Sequence, residues 1–185
     1  MNTNSTGLLS NIVYERATAT LSECGRYRYR LNRDYRDVMA ERSEKLLLWI
    51  MLNPSTADAR IDDPTIRKCR GFSERLGFGR FSVGNLFAYR ATDPKELLAL
   101  TARDFHASVG PDNDAHLVSM IAAADAVMLA WGSHGRRFVD RCEAVKRFVP
   151  MAKRGRLGPL SKEHQPRHPL MLSYDTEVVW QDRDP

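Results

Sequence analysis

The sequence predicts a single α/β domain, built as a three-layer α/β/α sandwich with a mostly parallel central sheet. Three short apolar runs, at residues 46–52, 81–87 and 126–131, each stop at polar or turn-forming residues, as strands buried on both faces do. Amphipathic segments with helical spacing separate the runs, and the connections are short. This alternation favours parallel strands with helices on both faces of the sheet.

The residues before the first buried run predict an N-terminal β-hairpin. Residues 12–21 and 26–31 alternate in polarity, and residues 22–25 (SECG) between them supply turn chemistry. In the second segment Arg26, Arg28 and Arg30 share one face, and the apolar side chains share the other.

The remaining elements follow in order within one domain that spans residues 1–185. We expect residues 1–10 to be flexible, residues 11–45 to form the hairpin and its connection, and residues 46–180 to form the core. The core elements are a strand at 46–52, a helix from Asp63 and Pro64 to Gly77, a strand at 81–87, a helix after Gly110 and a strand at 126–131. A further helix follows, with Phe138, Cys142, Val145 and Val149 inward and its arginines outward. A short strand near Leu157 and an edge strand at 178–180 complete the core.

Positive charge is concentrated in one stretch of the chain. The 185 residues carry 28 Lys and Arg against 23 Asp and Glu, a formal net charge of +5. Residues 132–168 hold ten basic and three acidic residues, so this stretch carries +7 and the rest of the chain −2. Such a stretch fits either a local anionic partner, such as nucleotide or nucleic-acid phosphates, or a solvated helix face.

No targeting or membrane segment is evident from the sequence. The longest apolar run has seven residues, far short of the roughly 18–20 that cross a bilayer. The first residues lack the basic and apolar regions of a signal peptide. The three cysteines are odd in number and far apart, which argues against a disulfide framework. We therefore expect a cytoplasmic protein that does not contact the membrane.

Candidate functional residues follow the buried strands, because ligands of open α/β sheets bind at the carboxyl ends of the strands. The turns after the three runs are residues 53–56 (NPST), 85–90 (NLFAYR) and 131–134 (WGSH), and a late loop adds 168–170 (HPL). We expect these four segments to form one site.

Two asparagines at the strand ends offer both a hydrogen-bond donor and an acceptor. Asn53 either orients a water or a base edge, or closes a structural Asx-turn before Pro54. Asn85 interrupts an apolar strand, where an amide needs a hydrogen-bond partner from either the protein or a ligand. Both interpretations are open for each residue.

Two histidines lie in the same segments. His134 falls in the first turn of the predicted basic helix, where free N–H groups attract an anion, although an exposed or capping histidine would also lie there. His168 lies between Pro166 and Pro169, and a histidine held in a rigid loop can polarise or protonate a leaving group.

Several other chemistries have no motif in this chain. There is no Cys-x-x-Cys or His-Glu-x-x-His pattern, and Pro166 breaks the helix that would align His164 with His168, so we expect no metal. There is also no glycine-rich phosphate loop and no Gly-x-Ser-x-Gly elbow. We expect no cofactor.

Four segments resemble, in order, motifs of the uracil-DNA glycosylase superfamily. Residues 51–55 (MLNPS) are similar to the strand that ends in Asn-Pro or Asp-Pro, and residues 83–86 (VGNL) to the strand whose Asn reads the Watson–Crick edge of a flipped base. Residues 128–134 (MLAWGSH) resemble the strand-to-helix turn, and residues 168–170 (HPL) the start of the His-Pro-Ser loop. The resemblance spans residues 46–170.

The resemblance implies hydrolysis of a nucleobase N-glycosidic bond, with the base flipped into a pocket at the strand ends. Asn53 would position the water, and His168 would stabilise the departing base anion. The implied base-binding residues are Asn85, Pro54, Ser55 and Phe87. The implied phosphate- or nucleic-acid-binding residues are Ser133, His134, Arg136, Arg137 and Arg167.

A wider set of segments resembles an uncharacterised family of bacterial and phage proteins, marked by residues 52–58 (LNPSTAD), 85–94 (NLFAYRATDP) and 110–114 (GPDND). This second resemblance implies no activity, so function has to come from the site.

We therefore expect a glycosylase-like protein whose partner is DNA or a nucleotide. The alternatives are a non-catalytic DNA- or nucleotide-binding module and an enzyme that acts on free or modified nucleotides. The catalytic hypothesis requires Asn53, Asn85 and His168 to meet at one pocket, and the nucleic-acid hypothesis requires the +7 stretch to flank its mouth.

Overall fold

The computed structural model describes residues 17–35, 43–55 and 62–181, which form one seven-stranded sheet with helices packed against it. The strands are β1 (Thr18–Leu21), β2 (Arg28–Asp34), β3 (Leu46–Met51), β4 (Arg80–Asn85), β5 (Ala126–Leu129), β6 (Arg154–Leu157) and β7 (Val178–Trp180). The helices are α1 (Pro64–Arg75), α2 (Pro94–Arg103), α3 (Phe105–Val109), α4 (Asn113–Ala123) and α5 (Val139–Phe148). Short 3₁₀ helices cover Ser133–Arg137, Met151–Lys153 and Pro169–Met171.

The sheet has a parallel centre and antiparallel edges. Its strand order is β1-β2-β4-β3-β5-β6-β7. The four strands β4, β3, β5 and β6 are parallel neighbours, whereas β1 with β2, β2 with β4 and β6 with β7 are antiparallel pairs. Met51 at the end of β3 lies opposite Asn85 at the end of β4. The predicted α/β class is therefore confirmed, with a mixed sheet around a parallel core.

The N-terminal strands deviate from regular alternation. β1 and β2 pair antiparallel, with a register irregularity between Thr20 and Leu21 that places Leu21 opposite Arg28. Because the irregularity interrupts the two-residue period, Arg28 and its neighbour Tyr29 are both buried. The regular alternation predicted for residues 26–31 is therefore wrong at this point. The predicted flexible residues 1–10 and the start of the predicted first strand lie outside the described residues.

The helix α1 begins where the sequence predicts it. Asp63 caps it, since its Oδ1 accepts a hydrogen bond from the backbone N–H of Ile66 at 2.8 Å. Pro64 occupies the first turn, where its missing N–H costs nothing. Gly77 follows the helix with φ of +78°, a left-handed conformation that favours glycine.

Two hydrophobic clusters lie on opposite faces of the sheet, because successive residues of a strand point to opposite sides. Leu48 and Ile50 of β3 pack in one cluster with side chains of α4 and α5. Leu47, Trp49 and Met51 pack in the other cluster with side chains of α1. The central strands are consequently covered on both faces.

Parts of the remaining chain follow the prediction and parts correct it. β6 and β7 lie where a strand near Leu157 and an edge strand at 178–180 are predicted. The patterns above do not predict α2 and α3, although Asp93 before α2 repeats the Asp-Pro start of α1 and accepts from the N–H of Lys95. The prediction that the arginines of α5 face outward is wrong for Arg141, which is 5% exposed.

Among the described residues, no helix is both long and apolar enough to span a membrane.

Candidate functional site

A cavity of about 240 Å³ opens at the carboxyl ends of β3, β4 and β5. In the sheet β3 has β4 on one side and β5 on the other, and this reversal of strand order is where ligands bind in open α/β sheets. Side chains from the first turn of α1 form part of the wall. Six of the residues predicted from the sequence line the cavity: Asn53, Ser55, Asn85, Ser133, His134 and His168.

Asn85 is a buried amide that faces the cavity. The residue is 2% exposed and lines the cavity at the end of β4. None of the described residues forms a hydrogen bond with its side chain. Its amide atoms are not enclosed but open to the cavity, where water or a ligand can bond them. Asn85 therefore behaves as a group that a ligand, rather than the fold, would satisfy.

The backbone around Asn85 is held by two buried side chains from helices. Asn113 at the start of α4 donates from Nδ2 to the carbonyl oxygens of Asn85, at 3.0 Å, and of Leu86, at 3.2 Å. Arg141 of α5 donates from Nε to the Leu86 carbonyl at 2.8 Å, and its Nη2 forms an ion pair with Asp114. These bonds hold the backbone of residues 85 and 86 in place at the end of β4.

The two polar atoms of the Asn53 amide differ in their hydrogen bonding. Its Nδ2 donates to the carbonyl oxygen of Pro54, at 3.1 Å, and to that of Ala91, at 2.9 Å. Its Oδ1 accepts no hydrogen bond from the described residues. The turn interpretation therefore applies to the nitrogen, whereas the oxygen of this cavity-lining residue has no partner among the described residues and can accept a hydrogen bond from a ligand.

His168 is neutral at pH 7 and holds its proton on one defined nitrogen. Burial lowers its pKa below the usual 6.5, with Asp63 opposing the shift and His134 adding to it. Its Nδ1 accepts a hydrogen bond from the N–H of Leu170 at 3.3 Å. Because Nδ1 is the acceptor, the proton of the neutral ring lies on Nε2. His168 is therefore a neutral hydrogen-bond donor.

The loop that contains His168 is held against the end of β5. Gly132 donates its N–H to the carbonyl of Pro166 at 3.0 Å. Trp131 donates from Nε1 to Oε1 of Gln165 at 2.8 Å. Gly132 has φ of +77°, and a Cβ there would lie 3.1 Å from the Cβ of His168. Glycine at 132 therefore permits both the turn and the close approach of His168.

The acidic side chain in the cavity wall, Asp63, already accepts two hydrogen bonds. Asp63 accepts from the N–H of Ile66 through Oδ1 and from the hydroxyl of Ser55 through Oδ2, at 3.2 Å. This second bond connects the turn after β3 to the start of α1.

Arg28 lines the same cavity and is absent from the set predicted from the sequence. It is 6% exposed, its Nε is buried without a hydrogen-bond partner, and none of the described residues bonds its guanidinium. Burial lowers its pKa to about 10, Asp63 opposes the shift, and Arg90 and Arg33 add to it. Arg28 thus stays charged at pH 7. Regular alternation gives no signal for its burial, which depends on the irregularity opposite Leu21.

The other predicted site residues lie outside the cavity wall. Phe87 is fully buried in the core, with its ring centroid 4.7 Å from that of Phe138. Pro54 is buried, and its carbonyl accepts from the N–H of Ala91 at 3.1 Å. The remaining three are the exposed Arg136 and Arg137 and the half-buried Arg167.

The turn after β5 also differs from its prediction. Ser133 and His134 belong to a five-residue 3₁₀ helix, and α5 begins only at Val139. The predicted placement of His134 in the first turn of the basic helix is therefore wrong. Both residues are exposed and form part of the rim of the cavity.

The basic stretch does not form one patch at the mouth. Lys153 donates to the carbonyl of Ala124 at the end of α4, and Arg154 donates to the carbonyls of Lys146 and Val149 at the end of α5. Arg141 is paired with Asp114. These cations stabilise helix ends and the core. The expectation that the whole +7 stretch flanks the cavity is therefore wrong.

The described residues contain no group of three or more His, Cys, Asp or Glu side chains arranged to hold a metal ion. The three cysteines are free thiols; Cys24 is exposed, and Cys69 and Cys142 are buried.

Comparison with known proteins gives one match. A family model described as "Protein of unknown function (DUF1643)" matches residues 28–170, which include all the cavity residues discussed above. No curated protein and no solved structure matches the chain.

Proposed function

Because the chain belongs to the DUF1643 family, whose description assigns no activity, we propose its function from the site: the cavity binds a nucleobase, and the protein hydrolyses the N-glycosidic bond of that base. The observation that carries the proposal is the Asn85 amide, buried at the cavity and without a hydrogen bond from the described residues. An amide can pair with a ring N–H and an adjacent carbonyl, or with a ring nitrogen and an adjacent amino group, which are the edges that nucleobases present.

Two neighbouring side chains supply the functions that hydrolysis of the glycosidic bond requires. The Asn53 oxygen accepts a hydrogen bond from water and orients it towards the sugar carbon. The water oxygen bonds to that carbon as the bond to the base nitrogen breaks, and the electron pair leaves with the base. The water gives up one proton to solvent and the base takes one up, so that the products are a sugar hydroxyl and the neutral base. The neutral His168 donates from Nε2 to the base and stabilises the developing negative charge.

The cavity has the size for a single base. Its volume of about 240 Å³ lies just below the roughly 300–1,000 Å³ of sites for drug-sized ligands. Ser55, which is bonded to Asp63, would contact the base from the turn after β3. A base that enters from DNA would have to be flipped out of the helix.

We also propose that the fold is of the glycosylase-like three-layer type. Support comes from the two clusters, with α1 against one face of the central strands and α4 and α5 against the other. The strand-end motifs at residues 51–55, 83–86 and 168–170 contribute residues to one cavity, in agreement with the resemblance stated above.

Incubation with base-modified substrates tests the proposal. Oligonucleotides that carry uracil, hypoxanthine or xanthine, and the matching free nucleosides, are incubated with the protein, and the released base is measured by chromatography. We expect release from at least one substrate. Asn85→Ala is expected to reduce release by about 10- to 100-fold, as expected for loss of hydrogen bonds in a buried site.

Asn32 provides the matched control. It is a strand amide outside the cavity, with its Nδ2 bonded to Thr18 and its Oδ1 to Ser82. Asn32→Ala should leave base release unchanged. Base release that Asn85→Ala leaves unchanged would contradict the proposed site, as would loss of release in Asn32→Ala. Binding of a base without its release would favour a non-catalytic module.

A specific observation favours a second candidate, an enzyme that acts on free or modified nucleotides. Arg141, Lys153 and Arg154 of the basic stretch are used within the fold rather than at the cavity mouth. A DNA-binding protein normally presents many cations to the backbone. Release from free nucleosides, together with no binding to DNA at low salt, would identify this second function.

A further inference from the structure

Arg28 is a buried cation with its guanidinium at the cavity and no partner in the described part of the chain. The residue is 6% exposed and its Nε is enclosed without a hydrogen-bond partner. The residue also lines the cavity that holds Asn85 and His168. An unpaired buried charge is costly unless a counter-charge with hydrogen-bonding capacity approaches it.

Asp63, which shares the cavity with Arg28, and its neighbour Asp62 both have other partners. Asp63 lines the cavity with Arg28 but directs its oxygens to the N–H of Ile66 and the hydroxyl of Ser55. Asp62 forms an ion pair with Arg33 at 2.9 Å. Neither carboxylate forms an ion pair with Arg28, so its guanidinium remains available to a ligand.

We propose that Arg28 binds an anionic group of the ligand, and that the cavity therefore takes a nucleobase with an acidic substituent in preference to a neutral base. The planar guanidinium fork matches the paired oxygens of a carboxylate or a phosphate. This inference rests on the proposed function, in which the same cavity takes a base. It adds a charge requirement that Asn85 alone does not impose.

The charges around Arg28 are of both signs. Arg33 and Arg90 lie close enough to Arg28 to disfavour its charged form. Asp63 is the opposing charge, and it is satisfied by its own hydrogen bonds. A bound anion would give the Arg28 guanidinium the hydrogen-bonded counter-charge that none of the described residues provides.

Calorimetric titration of the full chain tests the inference with matched pairs of ligands. Uracil is compared with its 5-carboxylate and its 6-carboxylate, which share the ring and differ in charge. Inorganic phosphate serves as the probe for an anion without a base. We expect at least one carboxylate to bind about 10- to 100-fold more tightly than uracil, the range of one charge-assisted pair.

Variants assign the preference to Arg28. Arg28→Met should abolish the preference for the carboxylate and leave uracil binding within about threefold, while Arg28→Lys should retain part of it. Arg103→Met, which removes an exposed cation at the end of α2, should change neither affinity. Because Arg28 is buried, circular dichroism and thermal melting establish that each variant is folded, and the ligand pairs on the unaltered chain test the preference without any variant.

Each outcome is decisive. Equal binding of uracil and both carboxylates overturns the role of Arg28 while base binding stands. A carboxylate preference that persists in Arg28→Met also overturns it. Phosphate binding that depends on Arg28, with no binding of any base, retains the anion site and overturns the proposed function. If none of the probes binds, both proposals fail.

Discussion

A Cβ added to Gly132 would lie 3.1 Å from the Cβ of His168, and this close approach couples the end of β5 to the late loop. The same glycine has φ of +77° and donates its N–H to the carbonyl of Pro166. One position thus determines both the turn after β5 and the location of a proposed functional histidine.

Gly132→Ala is expected to impair function beyond its effect on stability. The left-handed backbone makes alanine unfavourable by about 1 kcal/mol, and the crowding displaces His168. We expect a loss of base binding of at least about tenfold, measured by titration. Gly77→Ala is the matched control, since Gly77 has φ of +78° and open space around it. Equal loss of binding in both variants would contradict the coupling.

Truncation of Asn113 is expected to lower stability, whereas truncation of Asn85 is not. Asn113→Ala removes the bonds to the carbonyls of Asn85 and Leu86 and should lower the free energy of unfolding by about 2–3 kcal/mol. Asn85→Ala removes an amide that opens to the cavity and has no partner among the described residues, so it should change the free energy of unfolding by less than about 1 kcal/mol. Urea denaturation measures both. A loss at Asn85 as large as that at Asn113 would show that the Asn85 amide is structural.

His168 is expected to make stability fall on mild acidification. Burial lowers its folded pKa below the usual 6.5, so the unfolded chain binds the proton at higher pH than the native chain. Its contribution is fully present above the unfolded pKa and is lost as the pH falls from there through the folded pKa. We expect the native protein to lose more stability between pH 7.5 and 5.5 than His168→Asn does.

The comparison with His168→Asn is needed because burial also lowers the pKa of His116. Both proteins keep His116, so its contribution cancels in the difference. An identical pH dependence of the two proteins would show that His168 does not titrate differently on folding.

Cys24 is expected to be the reactive thiol of the three. The hydroxyl of Ser22, followed by Arg26, lowers its pKa to about 7, whereas burial raises the pKa of Cys142 to about 11 and that of Cys69 well above its usual value. At pH 7.5 iodoacetamide should label Cys24 alone in the folded protein, as peptide mass spectrometry would detect. Ser22→Ala should slow this labelling, and rapid labelling of Cys69 would contradict the structure.

The parts of the fold that could be predicted have local causes. The apolar run at 46–52 fits either a buried strand or a buried helix. Its seven residues before Asn53-Pro54 have the length of a strand rather than of a helix, so β3 could be predicted. Asp63-Pro64 specifies the start of α1 because the cap and the fixed proline φ act within one turn. Asn53, Asn85 and the 131–134 turn could be placed at one edge because parallel strands end on the same side of a sheet.

What could not be predicted depends on contacts between distant segments. The burial of Arg28 follows from a register irregularity that only the pairing of β1 with β2 reveals. The partners of Lys153 and Arg154 are carbonyl oxygens at the ends of α4 and α5. A run of basic residues looks the same in sequence whether it binds phosphates or caps helices, so its charge alone does not distinguish an external partner from contacts within the fold.

Nuclear magnetic resonance of the Asn85 side-chain amide tests the central claim most directly. Its ¹⁵N–¹H₂ resonances, assigned by their disappearance in Asn85→Ala, are followed while uracil, its carboxylates, hypoxanthine, adenine and cytosine are titrated into the protein. We predict saturable shifts of the Asn85 resonances with at least one base, and unchanged resonances for the Asn32 side chain. Asn85 resonances that stay in place with every base in excess would contradict a nucleobase site in this cavity.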